Sequence, residues 1–106
     1  MTESMTLAGV QAELRPWQEH NFPGSSPWEP LVGVAEEVGE LSHAFLKRHQ
    51  RIRLNEDHDA KIRDALGDVL IYLCDFANRE GVDLDEVLAE TWAHVRQRDW
   101  RPSEVS

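Results

Sequence analysis

The segment DALGDVLIYLCDFA (64–77) constrains this chain more than any other. Placed on a helix it is apolar over most of its circumference, which predicts a buried central helix covered by amphipathic neighbours. Asp64, Asp68 and Asp75 are nevertheless set into it. At ~100° per residue these three acids fall within ~40° of one another, with Tyr72 at ~80°. A carboxylate on such a helix loses several kcal/mol of hydration unless it is paired or metal-bound. The stripe therefore asks for a partner.

The neighbours are legible from periodicity. A first helix over about 5–20 carries Leu7, Val10, Leu14 and Trp17 at spacings of three and four, with Pro16 near its end as a kink or stop. NFPGSSPWEP (21–30) reads as a loop, and Pro30 suits the first turn of the next helix. That second helix, about 30–49, has Leu31, Val34, Val38, Leu41 and Phe45 as its core stripe. After the polar connection QRIRLNEDHD, the third helix spans about 59–80 and Gly81 is placed to end it. Asp83 with Glu86 opens a fourth helix along Leu84, Val87, Leu88, Trp92 and Val95. RPSEVS (101–106) reads as a frayed tail. With no strand pattern and no repeat, residues 1–106 are expected to form one all-α domain, a four-helix arrangement. A chain this short buries only about 60–70% of its unfolded surface, so the bundle is expected to be completed by oligomerisation, as a homodimer or homotetramer.

The second helix mirrors the acids of the third. VAEEVGELSHAF (34–45) places Glu36, Glu40 and Glu37 at ~0°, ~40° and ~100°, beside the apolar stripe at ~140–200°. Gly33 and Ala44 share the acids' arc, leaving room for something to approach. Glutamates on an amphipathic helix read by themselves as a solvated face. Asp68 inside LGDVLIYL does not, because so many apolar residues flank it. Two acidic stripes on consecutive helices make a carboxylate box suited to a hard cation such as Mg²⁺.

Charge points the same way. Lys and Arg number 11 against 20 Asp and Glu, a net −9. Polymeric nucleic acid and anionic membranes would be repelled. A polyanionic substrate would need a divalent cation between it and the acids. Cys74 is the sole cysteine, which excludes an internal disulfide and a Cys-based zinc site. The longest apolar run, Val69 to Cys74, is too short to span a bilayer, and MTESMTLAGV lacks the features of a signal peptide, so a cytoplasmic protein is expected.

EEVGEL followed at this spacing by GDVLIYL resembles the MazG-like nucleoside triphosphate pyrophosphohydrolases, an all-α superfamily with an EExxE motif and an ExxD motif on the next helix. The resemblance runs from about Trp17 to about Trp100. It implies hydrolysis of a nucleoside triphosphate to monophosphate and pyrophosphate, with Mg²⁺ as cofactor and Mn²⁺ as a substitute. By that resemblance Glu37, Glu40 and Asp68 match the metal ligands, joined here by Asp64. Glu36 and Glu37 are the catalytic candidates, with Glu36 as the base that activates water. Tyr72 matches an aromatic beside the nucleotide, and Trp17 one that encloses the base. The ExxD glutamate would fall at Ala65, with Asp64 one residue earlier; a later family lysine and asparagine would fall near Thr91 and Val95.

His20 and Lys47 complete the substrate-binding candidates, with Lys47 and His43 on the Glu36/Glu40 face. The five histidines show no metal-pair spacing and read equally as surface residues. KRHQRIR (47–53) serves as a phosphate clamp or as a solvated helix end favoured by the dipole. Trp28 is core or a base-stacking wall. Two other functions fit the chain: a phosphoribosyl-ATP pyrophosphohydrolase, and a non-catalytic acidic helical module that binds a protein.

Overall fold

The computed structural model describes residues 5–101, so the 102–106 part of the expected tail lies outside the described residues. Four helices follow in order: α1 (Leu7–Asn21), α2 (Trp28–Gln50), α3 (His58–Glu80) and α4 (Leu84–Val95). Among the described residues there is no strand. No helix is long and apolar enough to cross a membrane.

The ends of the helices follow local chemistry. Thr6, Asp57 and Asp83 cap α1, α3 and α4, each side chain accepting from the backbone N–H three residues on. Gly81, at φ 67°, closes α3. The N–H of Val82 then reaches the Ala77 carbonyl at 2.9 Å, and that of Gly81 reaches Asn78, the Schellman arrangement. Pro16 does not stop α1, which continues to Asn21. The carbonyl it deprives of a donor belongs to Ala12, on the exposed face, where water can serve it.

The helices are tied by a polar hub. Gln11 is buried on α1 and donates to the Val82 carbonyl at 2.7 Å and to Asn78 Oδ1 at 3.2 Å. It accepts from the Leu84 N–H at 2.9 Å, while Asn78 Nδ2 donates to its backbone carbonyl. From α4, the Asp85 carboxylate accepts from the free N–H groups of Leu7 and Ala8, capping α1 a second time.

Two packing expectations are corrected. The side of α2 against α3 is made by Pro30, Gly33, Glu37, Leu41 and Ala44, while Leu31, Val38 and Phe45 stay exposed. The helix is rotated by roughly 80° from its apolar stripe, because the glycine and alanine arc lets α3 approach closely. The second correction concerns α3, whose Leu66, Leu70 and Ile71 remain exposed. α1 and α2 pack on α3, but α4 packs on α1 and leaves that face of α3 open. Leu88 and Trp92, on the stripe of α4, are 58% and 57% exposed. These faces have no cover within the chain's described residues.

Candidate active site

Rotation of α2 brings its acids over α3. A cleft of about 440 Å³ runs along the seam, lined by Glu36, Glu37 and Asp68, by Glu29 and Asp75, and by the rings of Trp17, Phe22 and Tyr72. A second cleft of about 670 Å³ lies further along the same seam, lined by Glu36, Glu40, His43, Lys61, Asp64 and Asp68. Glu36 and Asp68 line both, so the acid patch sits where the two clefts meet. The six acids picked out from spacing thus line one seam between two helices, Glu37 and Asp75 in the first cleft, Glu40 and Asp64 in the second, and Glu36 and Asp68 in both.

The electrostatics of that place are strained. Loss of hydration is the largest cause lifting the Glu37 carboxyl above its ordinary value of 4.5, followed by the charges of Glu40 and Asp68, a hydrogen bond with Glu40, and the charge of Glu36. One Glu37 oxygen, Oε2, is buried with no hydrogen-bond partner. Burial, and then the charges of Glu37, Glu36, Asp68 and Asp75, push the Tyr72 hydroxyl upward, so it stays a hydrogen-bond donor.

The aromatic wall has its own geometry. Trp17 and Phe22 meet edge to face, with centroids 5.9 Å apart. The ring of Tyr72 lies against Gly33: a Cβ there would sit 2.5 Å from Cε1 and 2.6 Å from Cδ1. What the open arc of α2 admits is therefore an aromatic ring of α3. Gly33→Ala must drive that ring away, and a displacement of order 1 Å at a substrate wall lowers kcat/KM by up to about 100-fold. Gly67→Ala, where a Cβ meets nothing within 4 Å, serves as the control for added helix propensity. Equal kcat/KM for wild type and Gly33→Ala would remove Tyr72 from the site.

The remaining candidates sit elsewhere. His20 and Lys47 line neither cleft, and Lys47 reaches Gln50 Oε1 at 3.5 Å. The basic run at the end of α2 is partly spent on Arg48, which bonds Asp59 at 2.6 Å and lies over the Phe45 ring. Reading the sequence missed Lys61, Phe22, Gln18 and the position of Asp75. Lys61 bonds Glu56 at 3.2 Å from the lip of the second cleft. Only Asp75 had a signal, its place on the Asp64–Asp68 stripe.

The comparisons with known proteins decide the class of the molecule. The MazG nucleotide pyrophosphohydrolase domain matches residues 29–101, which takes in α2, α3, α4 and both acidic stripes. The chain belongs to this family. It is accordingly a nucleotide pyrophosphohydrolase, a hydrolase that acts on nucleoside triphosphates. A similar protein is the dATP/dGTP diphosphohydrolase of Cyanophage S-2L, 32% identical over 95 residues that cover 90% of this chain and 78% of the relative.

The acids of this MazG domain suit a hard divalent cation. Glu37 offers a buried oxygen without a partner, and Glu36, Glu40 and Asp68 crowd it with charge that a cation would relieve. Among the described residues no three Asp, Glu, His or Cys side chains are already drawn into a formed metal-binding group. Long glutamate side chains on α2 would have to close on the ion.

Proposed function

We propose that the protein is a Mg²⁺-dependent hydrolase that converts a deoxynucleoside triphosphate to monophosphate and pyrophosphate, clearing the cytoplasmic nucleotide pool. A single observation carries this reading: one cleft is lined both by the carboxylates of Glu36, Glu37 and Asp68 and by the rings of Trp17, Phe22 and Tyr72. A nucleotide calls for the same two kinds of group, acids that can hold a cation against its phosphates and a flat apolar surface for its base. The name of the phage relative, a dATP/dGTP diphosphohydrolase, supports a deoxynucleotide substrate.

Glu37, Glu40, Asp64 and Asp68 would hold the ion, with Mn²⁺ as a substitute. When bound, Mg²⁺ supplies a Lewis acid that neutralises charge on the phosphate oxygens. Glu36, where the two clefts meet, takes a proton from the attacking water, which adds across the α–β anhydride as pyrophosphate leaves. The Tyr72 hydroxyl donates toward the substrate, and Trp17 and Phe22 offer a flat apolar surface to the base. Incubation with each dNTP and Mg²⁺, followed by separation of products, tests the reading. Monophosphate with pyrophosphate supports it; diphosphate with phosphate, or no turnover, refutes it.

Melting in EDTA tests the ion separately. The folded Glu37 pKa lies above 4.5, so its contribution to stability is complete below 4.5 and is lost as pH rises through the raised value. In EDTA the wild type should lose stability relative to Glu37→Gln as pH rises above about 4.5. At pH 7, Mg²⁺ at a hundredfold excess over its dissociation constant should restore about 2.7 kcal/mol. Superimposed melting curves with EDTA and with Mg²⁺ would rule out the metal site.

The exposed faces of α3 and α4 support assembly into a homodimer or homotetramer. Leu66, Leu70, Leu88 and Trp92 present large apolar side chains to solvent in the isolated chain. Light scattering should therefore give a mass that is a multiple of 12.2 kDa. A monomer at micromolar concentration would refute the assembly.

A further inference from the structure

Asp75 is the buried acid of the cleft, its side chain 9% exposed, yet it lies apart from the proposed ion. It sits seven residues beyond Asp68 on α3, two turns or ~10 Å along the helix axis. Tyr72 stands between them. That span is the reach from an α-phosphate, across the sugar, to the far edge of a base.

The carboxylate is held in place. Its Oδ1 accepts from Arg79 Nε at 3.2 Å. The same guanidinium donates to the Ser25 backbone carbonyl at 2.9 Å and to the Ser25 hydroxyl. Arg79 therefore locks Asp75 to the loop between α1 and α2, the loop that carries Phe22 and the cleft's outer wall. Among the described residues Oδ2 accepts no hydrogen bond. An oriented carboxylate oxygen without a donor, open to solvent in the wall of a substrate cleft, is placed to receive one.

We propose that Asp75, held by Arg79, reads the Watson–Crick edge of the substrate base and selects guanine nucleotides. The proposal rests on the nucleotide-hydrolase reading above and names its substrate. A carboxylate only accepts hydrogen bonds. Guanine presents two adjacent donors, N1–H and the 2-amino group, which a carboxylate takes together. Adenine and cytosine each pair one amino donor with a ring-nitrogen lone pair that repels the carboxylate. Thymine flanks its single N–H with two carbonyls. Gln18, in the same cleft on α1, has an amide N–H available for the guanine carbonyl.

Calorimetric titration of the full chain with deoxynucleoside monophosphates in EDTA tests this without turnover. Wild type should bind dGMP about 10- to 100-fold more tightly than dAMP, dCMP, dTMP or deoxyinosine monophosphate, which lacks the 2-amino group. In Asp75→Asn the order should shift toward deoxyxanthosine monophosphate, whose 2-carbonyl the new amide can bond. Arg79→Lys should narrow the preference for dGMP while circular dichroism stays unchanged. Equal binding of dGMP and deoxyinosine monophosphate by wild type overturns the proposal, as does no binding of dGMP at millimolar concentration or an unchanged order in Asp75→Asn. The hydrolase reading fails separately. Guanine-selective binding with no release of pyrophosphate refutes the activity and leaves the recognition standing, whereas equal kcat/KM for every dNTP does the opposite.

Discussion

Glu37→Gln should lower pyrophosphate release by about 10²–10³-fold while leaving the metal-free protein at least as stable as the wild type. The Glu37 carboxylate has lost hydration and stands among the charges of Glu40, Asp68 and Glu36. Removing its charge at neutral pH relieves that repulsion. No ion pair is lost, because those formed among the described residues are Arg48–Asp59, Lys61–Glu56 and Arg79–Asp75. A ligand that stabilises transition-state charge is worth about 10²–10³-fold in turnover, and Glu40→Gln should fall in the same range. Both properties are read on one sample: melting in EDTA, and pyrophosphate released from dGTP with Mg²⁺. A variant that melts several degrees lower in EDTA and keeps its turnover would make Glu37 a structural residue.

Ala65→Glu, which restores the family's missing motif glutamate, should damage the protein instead of improving it. Ala65 is buried at 3% exposure on the side of α3 that α2 covers. Ala65 also lines the second cleft, so a glutamate there must thread a longer side chain past the helix contact and add its charge to Glu36, Glu40, Asp64 and Asp68. Overpacking costs about 1–3 kcal/mol and burying the charge adds to that. For a domain of this size the melting temperature should fall by roughly 10–20 °C. Asp64, one residue earlier, is exposed and lines the second cleft with Glu40 and Asp68. Asp64→Asn should therefore lose much of the turnover with little change in melting. The alternative is an incomplete site, in which Asp64→Asn is silent and Ala65→Glu folds normally and lowers the Mg²⁺ requirement. Mg²⁺ titrations of turnover for the two variants distinguish these outcomes.

Much of the architecture was written locally. Asp57, Asp83 and Gly81 mark helix ends through contacts that reach no more than five residues, and such signals survive in a linear reading. The two acidic stripes were equally plain, since a helix of known pitch fixes which residues share a face. Their convergence required only that α2 and α3 pack on each other, which a short connection favours. EEVGEL and GDVLIYL carried the family as well, and the match over 29–101 bears that out.

The sequence by itself determined four helices, where most of them end, and that carboxylates on α2 and α3 would line the seam between those helices. Only the tertiary structure decided which side of each helix is used. On α2, Gly33 and Ala44 won the interface from the larger Leu31, Val38 and Phe45. Periodicity counts apolar side chains but not how closely two backbones can approach, and here the ring of Tyr72 needs the space that Gly33 leaves. Gln11 and Arg79 looked like ordinary polar residues because their partners lie 54 to 73 positions away. Their importance comes from burial: once water is excluded, each donor and acceptor must find another, and only the folded chain brings those groups together.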